Sequence, residues 1–458
     1  MSFTTNIFYL LFLPLSIIGY LALYKLVNTK ICNLYLVILS IIFYSASNTI
    51  SIKSMLMYIF VVWLFGQIIY KTKKKYILYI SITISIALLF YYKYTFFTIS
   101  QINRFFGTSY KFDNIIIPLG ISFIIFESIS YYIDIYLKKA KPGSITDVAL
   151  FITFFPKVVS GPIVLWRNFE KQISNRKIDI NRIDIGIERI IIGASKKILI
   201  ADVLGLTVDG IWLNLYTGID TPTAWVGALC YMMQIYFDFS GYSDIAIGIC
   251  NIFGFEINEN FNYPYRSKSI TEFWRRWHIS LGSWFRNYIY FPLGGSRKGN
   301  KYLNLFIVFV ITGIWHGAAY TFLVWGILQG LVVVVERKLD DSNIRFPLTL
   351  RFALTITITY FSWIIFRSPN ISSFIDYLKV MFGITKYDVI NFTYQWYLNK
   401  RTIFLLIIST ILSFIKIDDL WRNSNRYLSK KMIFITIFAL TIIYMVNSNY
   451  SPFLYFQF

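Results

Sequence analysis

An all-helical protein threaded repeatedly through a membrane is what this sequence predicts, on three observations. Apolar residues make up 56% of its 458 residues and charged ones only 15%, a balance that no soluble core of this length needs. The apolar residues gather in runs close to the length that crosses a bilayer. The cations behind a net charge of +21 fall in short clusters between those runs, as membrane orientation and lipid headgroups require. Membrane lipid is therefore an expected partner and nucleic acid is not.

The first run, 7–24, has no basic residue before it and no small-residue cleavage site after it, so it reads as a span and not as a cleaved signal. Runs 31–45 and 55–70 are short, enough for spans with little tilt. Runs 76–97 and 115–137 follow. Lys25 and Lys30, then Lys71, Lys73, Lys74 and Lys75, then Lys138, Lys139 and Lys141 come after the first, third and fifth runs. Every second loop is basic, which places these loops in the cytoplasm and the N-terminus outside, in the periplasm.

From 147 to 166 the apolar run is interrupted by Pro156, Gly161 and Pro162 and leads into basic polar sequence. A broken or re-entrant helix is expected, allowed in a bilayer only where protein or water satisfies the freed backbone, and a cavity is implied there. Further spans are read at 198–213, 224–252, 303–320, 321–335, 348–366, 401–415 and 432–446. On this path Glu336, Arg337, Lys338 and the stretch 416–431 face the cytoplasm, and the C-terminus lies outside. The whole makes about eleven to thirteen helices, spans and re-entrant or interfacial helices together. It reads as one domain, 1–458, with N-terminal spans in 1–140, a core in 146–335 and C-terminal spans in 348–458.

Between 253 and 302 lies a polar, aromatic stretch that does not read as a span. Ser269 with Glu272 three residues on is a capping box. Beyond it Trp277, Leu281, Trp284 and Tyr288 share one helical face while Arg275, Arg276 and Arg286 point elsewhere, the pattern of one helix lying in the interface.

Histidine is used twice, both times after tryptophan: Trp277-His278 and Trp315-His316. Imidazole is the side chain whose ordinary proton exchange lies near neutral pH, so its sparing use in an apolar chain points to chemistry. His316 sits in an apolar run between Gly313 and Gly317, four apart, which let a neighbouring helix or a thin ligand approach the backbone. A neutral imidazole there can take a proton from a hydroxyl; the alternative is a core histidine bonded to a carbonyl. His278 either shuttles a proton or orients a donor, or else bonds headgroups or a loop.

Asp238 and Asp244 interrupt an apolar helix and need partners, which Arg266, Arg275 or Arg276 would supply if the next segment folds back. Tyr242, one turn from Asp238, leaves a Tyr-Asp unit possible. Arg275, Arg276 and Arg286 either hold the phosphates of a nucleotide-linked thioester or bind anionic lipid. Cys32, Cys230 and Cys250 form no metal or disulfide pattern, and no metal or bound cofactor is expected. Walker, Rossmann and nucleophile-elbow patterns are absent.

Ile117-Pro-Leu-Gly-Ile-Ser-Phe123, Phe154-Phe-Pro156, Ser160-Gly-Pro162, Phe237-Asp-Phe-Ser-Gly-Tyr-Ser-Asp244, Phe261-Asn-Tyr-Pro-Tyr265, Phe273-Trp-Arg-Arg-Trp-His-Ile-Ser-Leu281, Pro292-Leu-Gly-Gly295 and Trp315-His-Gly317 follow in order. This ordered set resembles the membrane-bound O-acyltransferase superfamily, in its bacterial alginate O-acetylation branch. The resemblance implies a ring of tilted helices around a central tunnel in the bacterial cytoplasmic membrane. Through it an acyl group passes from a cytoplasmic thioester, acetyl-CoA, to an acceptor outside. It carries the catalytic histidine over to His316 and a second functional histidine to His278. Asp238, Tyr242, Trp277, Trp315, Gly313 and Gly317 are then expected along the tunnel.

Glu127, Lys157 and Asn287 stand where the family pattern has glutamine, glutamine and aspartate; Glu127 and Lys157 are candidates to pair. The shortness of the chain resembles the membrane component of peptidoglycan O-acetylation, which implies an extracytoplasmic SGNH-type transferase as partner. Alginate or another exopolysaccharide, or a lipid, is the alternative acceptor, and an acyl-imidazole or acyl-tyrosine relay the alternative route. The rival from another class is a proton-coupled transporter using His316 and Asp238.

Overall fold

The computed structural model describes residues 3, 5–46, 51–111, 115–344, 346–387, 389–390, 392–415 and 427–447. Helices dominate. Ahead of the broken stretch run α1 (Leu13–Leu26), α2 (Thr29–Ser45), α3 (Ser51–Thr72), α4 (Lys75–Lys93), α5 (Thr95–Phe106) and α6 (Ile121–Tyr136). Four helical stretches, Phe8–Leu26, Ile52–Thr72, Lys75–Lys93 and Leu348–Arg367, are long and apolar enough to cross a membrane, and Thr29–Ser45, Lys301–His316 and Lys431–Asn447 are shorter apolar helices. The fourth expected span ends early, at Lys93, and α5 starts anew. The fifth begins at Ile121, because Pro118 and the left-handed Gly120 (φ +71°) hold the preceding chain out of helix.

The expected break is present. It separates α7 (Ile145–Thr153) from α8 (Trp166–Ser174), and residues 154–165 between them are wholly buried. Their backbone is satisfied from neighbouring elements: the N–H groups of Phe155, Ile163 and Val164 donate to Ser40 Oγ, Ser280 Oγ and Glu127 Oε1. Lys157 binds Glu127 at 2.6 Å, with both side chains inside the protein. Two of the three departures from the family pattern thus form one ion pair that ties the irregular segment to α6.

Next come α9 (Ile180–Ser195), a π-helical turn (Lys196–Ala201), α10 (Asp202–Leu213) and α11 (Thr221–Ile252). At 1.5 Å per residue the 32 residues of α11 extend about 48 Å, and its second half is buried at every residue but Asn251. The first half of α11 belongs to an apolar core with α10 and the C-terminal helices. Its second half belongs to another with the N-terminal helices and the broken segment. The helix is the shared axis of two cores.

Glycine sets how closely α9 meets this axis. A Cβ on Gly193 would stand 2.5 Å from the Gly241 carbonyl oxygen, and one on Gly186 would stand 2.7 Å from that of Gly248. Each helix repeats its glycine seven residues on, so the backbones touch at two successive points of one face. Gly193→Val is expected to lower the thermal midpoint in detergent, at a cost of about 1–3 kcal/mol or more. An unchanged midpoint would mean that the helices separate freely.

Asp238 and Asp244 find their partners across this same contact. Lys197 binds Asp238 at 2.6 Å and Asp202 at 2.7 Å; Arg189 and Lys196 bind Asp244 at 2.7 and 2.6 Å. The expected pairing is present, but its cations come from upstream, α9 and the π-helical turn, and not from Arg266, Arg275 or Arg276.

The single interfacial helix expected after Ser269 is instead two, α12 (Ile270–Arg276) and α13 (Ile279–Phe285), followed by a π-helical turn (Arg286–Tyr290). His278 stands at the break in left-handed conformation, φ +46°. The cause is a crossing strand of chain: Asn262 N–H donates to Arg276 O, and Ile279 N–H donates to Asn260 O. Backbone groups that would have continued the helix are taken by residues 260–262. Ser269 caps α12 as expected, its Oγ accepting from Glu272 N–H. The Glu272 carboxylate accepts from Lys268 N–H, one residue before the cap.

The chain closes with α14 (Lys301–His316), α15 (Tyr320–Asp341), α16 (Leu348–Arg367), α17 (Ile371–Met381), α18 (Tyr394–Tyr397), α19 (Lys400–Phe414) and α20 (Tyr427–Asn447). The count of helices among the described residues exceeds the sequence reading because broken and interfacial stretches divide into pieces of one to three turns. Of the basic stretch 416–431, residues 416–426 lie outside the described residues. Lys431 binds Glu188 of α9 at 3.3 Å.

Candidate active site

His316 is the last residue of α14; the chain at Gly317 turns extended before α15 begins. The histidine therefore occupies a break between two helices and not the middle of one. Its residue is 5% exposed. Its ring lies 4.9 Å from that of Trp315, 5.2 Å from Trp325 and Phe366 and 6.5 Å from Phe322, centroid to centroid. Trp315 belongs to the first apolar core and the other three to the second. The imidazole stands at the seam between the cores, enclosed on the sides these rings cover.

The glycines flanking it serve helix packing. A Cβ on Gly313 would meet Phe322 O at 2.5 Å and Gly326 Cα at 2.9 Å, and one on Gly317 would meet the Phe322 ring at 2.2 Å. Of the two occupants the spacing allowed, a neighbouring helix takes the space, with α15 lying against α14.

The end of α14 is held by residues that sequence reading passed over. The last carbonyls of a helix have no partner within it. Here Lys93 Nζ, at the end of α4, donates to Trp315 O at 2.7 Å and His316 O at 2.9 Å, and Tyr94 Oη donates to Ile314 O at 2.8 Å. The ammonium also lies 5.8 Å from the Trp315 ring centroid. Cation, carbonyls and helix dipole are aligned favourably. Lys93 is a lone lysine at the end of an apolar run, and nothing in its sequence context marks it. Hydrogen bonds to a charged group contribute about 1.5–3 kcal/mol. Lys93→Met is expected to cut turnover about tenfold or more through disorder of Trp315 and His316, with Lys93→Arg recovering part. Turnover equal to the parent in Lys93→Met would show that the clamp does not bear on the site.

Trp315 is fixed by stacking as well. Phe126 lies between Trp284, at 3.9 Å and 8° between planes, and Trp315, at 5.1 Å and 15°. Trp284 Nε1 donates to Phe126 O at 2.8 Å.

His278 is 1% exposed. Its ring is 4.6 Å from Phe239, edge to face, and 6.4 Å from Trp315. The two histidines, 38 positions apart in sequence, therefore contact the same indole. Nδ1 of His278 lies 3.1 Å from Asn260 Oδ1, which also accepts from Ser280 N–H at 3.2 Å and Ser280 Oγ at 2.8 Å. Asn260 Nδ2 donates to Ser243 Oγ on α11.

The remaining expected site residues fall into separate places. Trp277 packs in the second core against Phe273, Phe261 and Trp363. Tyr242 stacks on Phe3 at 4.9 Å in the first core. Asp238 is committed to Lys197. Of Arg275, Arg276 and Arg286, Arg276 alone lines a surface pocket of about 260 Å³, with Arg266, Lys268 and Glu272. Arg276 binds Glu272 at 2.9 Å. Partial burial pushes the Glu272 carboxyl up, but the Lys268 N–H and the Arg276 guanidinium outweigh it and hold it below the usual range. Arg266 and Lys268 make no ion pair among the described residues, so the pocket is net cationic.

Four helical stretches of membrane-crossing length and two buried imidazoles against one indole describe a membrane protein with a histidine-bearing interior. The chain belongs to the MBOAT, or membrane-bound O-acyltransferase, family, whose model matches residues 39–375. It is 34% identical, over the full length of both chains, to a probable alginate O-acetylase AlgI of Pseudomonas putida. To a peptidoglycan O-acetyltransferase of Helicobacter pylori it is 30% identical over its whole length and 97% of that protein. A teichoic acid D-alanyltransferase of Bacillus subtilis is 30% identical over 51% of this chain and 62% of its own.

Proposed function

We propose that the protein moves an acetyl group from acetyl-CoA in the cytoplasm across the membrane for O-acetylation of a cell-envelope polysaccharide, peptidoglycan, with His316 as the general base. The observation that carries the reading is the full-length similarity to proteins named as O-acetylating enzymes of envelope polymers, combined with the enclosure of His316 at the seam. Removing the proton of an acceptor hydroxyl as it attacks the thioester carbonyl makes the oxygen nucleophilic. The C–O bond forms, the C–S bond breaks, and the thiolate leaves.

The cationic pocket of Arg266, Lys268 and Arg276 suits the phosphates of the donor. It lies at the start of α12, whose first N–H groups donate to Glu336, and Glu336 is next to the basic pair Arg337 and Lys338 that marks the cytoplasmic side. The N-terminus then faces the periplasm of a bacterial cytoplasmic membrane. An extracytoplasmic SGNH-type transferase completes delivery to the wall. A second reading, alginate or another exopolysaccharide as acceptor, is favoured by the 34% identity to the alginate O-acetylase. Deleting the gene and analysing acetyl content of wall and exopolysaccharide separately tests the assignment: loss from muramic acid supports it, and loss from exopolysaccharide alone overturns it in favour of the second.

A further inference from the structure

Histidine at a helix break, with one ring nitrogen against a buried amide, is a geometry that decides a proton's position. The backbone N–H of Ser280 can only donate, so the Asn260 side-chain atom it meets at 3.2 Å is the oxygen. The same orientation leaves the amide NH₂ to donate to Ser243 Oγ at 3.1 Å. An oxygen of an amide only accepts. The 3.1 Å contact between that oxygen and His278 Nδ1 therefore requires the proton to reside on Nδ1, and a neutral ring then has its lone pair on Nε2.

We propose that Asn260 is a positioning residue that fixes His278 as the Nδ1–H tautomer, so that His278 enters acyl transfer through a basic Nε2, as an acceptor and not a donor of a hydrogen bond. The catalytic part rests on the acetyl-transfer reading above; the tautomer itself does not. Two supports are independent of each other. Asn260 is fully buried and its backbone as well as its side chain holds the break, since Ile279 N–H donates to Asn260 O at 2.9 Å. The left-handed backbone of His278, φ +46°, is a conformation that few side chains adopt without a reason in the surrounding structure. It turns the ring out of the course of α12 and α13 and brings it to 6.4 Å from Trp315, the indole that also touches His316 at 4.9 Å. The two imidazoles then hold different offices beside one ring: His316 removes the proton, and His278 receives a hydrogen bond that aligns the attacking group.

With only two histidines in the chain, the test is direct. The full-length protein, labelled with ¹⁵N only at histidine and held in lipid vesicles, gives two imidazoles by solid-state NMR, assigned with His316→Gln. The His278 ring is expected to show a protonated Nδ1 and an unprotonated Nε2. Asn260→Leu is expected to lose that pattern and at least tenfold in turnover on acetyl-CoA at little change in KM, and Asn260→Asp, which keeps the acceptor, to restore both in part. A parent spectrum with the proton on Nε2 overturns the proposal without need of any variant. So does an unchanged tautomer in Asn260→Leu. A correct tautomer in a protein that transfers no acetyl group would instead overturn the acetyl-transfer reading and leave the tautomer assignment standing.

Discussion

His316→Ala is expected to remove acyl transfer almost completely, by about 10²–10⁴-fold, the usual contribution of a positioned general base, while the protein still inserts and folds. The separation of these outcomes follows from the position of the residue. His316 ends α14, and the peptide there is held through carbonyl oxygens by Lys93 and Tyr94, bonds that alanine retains. Its neighbours Trp315 and Trp325 keep their own packing. The loss therefore falls on chemistry, and is read as turnover of acetyl-CoA by purified protein in vesicles beside its yield and melting temperature. Comparable losses of turnover and of folded protein would reassign the imidazole to the core.

The second large effect is on stability. Glu127→Leu leaves the Lys157 ammonium without its carboxylate in a fully enclosed site, and removing one partner of a buried pair costs roughly 3–5 kcal/mol. It also removes the acceptor of the Val164 N–H in the irregular segment. The double variant Glu127→Leu with Lys157→Met buries no charge and is expected to recover most of the loss, because two charges withdrawn from water gain little over well-packed apolar groups. Thermal unfolding in one detergent, with all three proteins compared, reads the pattern. A double variant as unstable as the single would show that the pair holds the segment through its hydrogen bonds, Lys157 Nζ to Phe151 O among them.

Composition and run length made the membrane fold legible, because spanning the bilayer imposes a one-dimensional pattern on sequence. Pro156, Gly161 and Pro162 marked the broken segment for the same reason: their effects are local. Scarcity singled out His316 and His278, and the fold brings both rings to the Trp315 indole. What escaped was long-range. The helix break at His278 is made by residues 260–262 across the chain, so the run from Ser269 to Tyr288 keeps a helical pattern that the fold overrides. Asp238 and Asp244 announced a need for cations, but Lys197, Lys196 and Arg189 satisfy it through a glycine-lined contact between α9 and α11 that periodicity does not reveal. Lys93, 223 residues from His316, carries no local mark at all.

The central claim is that an imidazole enclosed in the membrane, acting as a base, lets an acceptor hydroxyl take the acetyl group of a thioester supplied from the cytoplasmic side. Acetyl-CoA carrying a labelled acetyl group, supplied on the cytoplasmic face of vesicles that hold the purified protein and an enclosed glycan acceptor with its SGNH-type transferase, measures this step. The account predicts label on the glycan for the parent and none above background for His316→Ala. Equal labelling by the two proteins, or thioester left unconsumed while acceptor crosses the membrane, would contradict it.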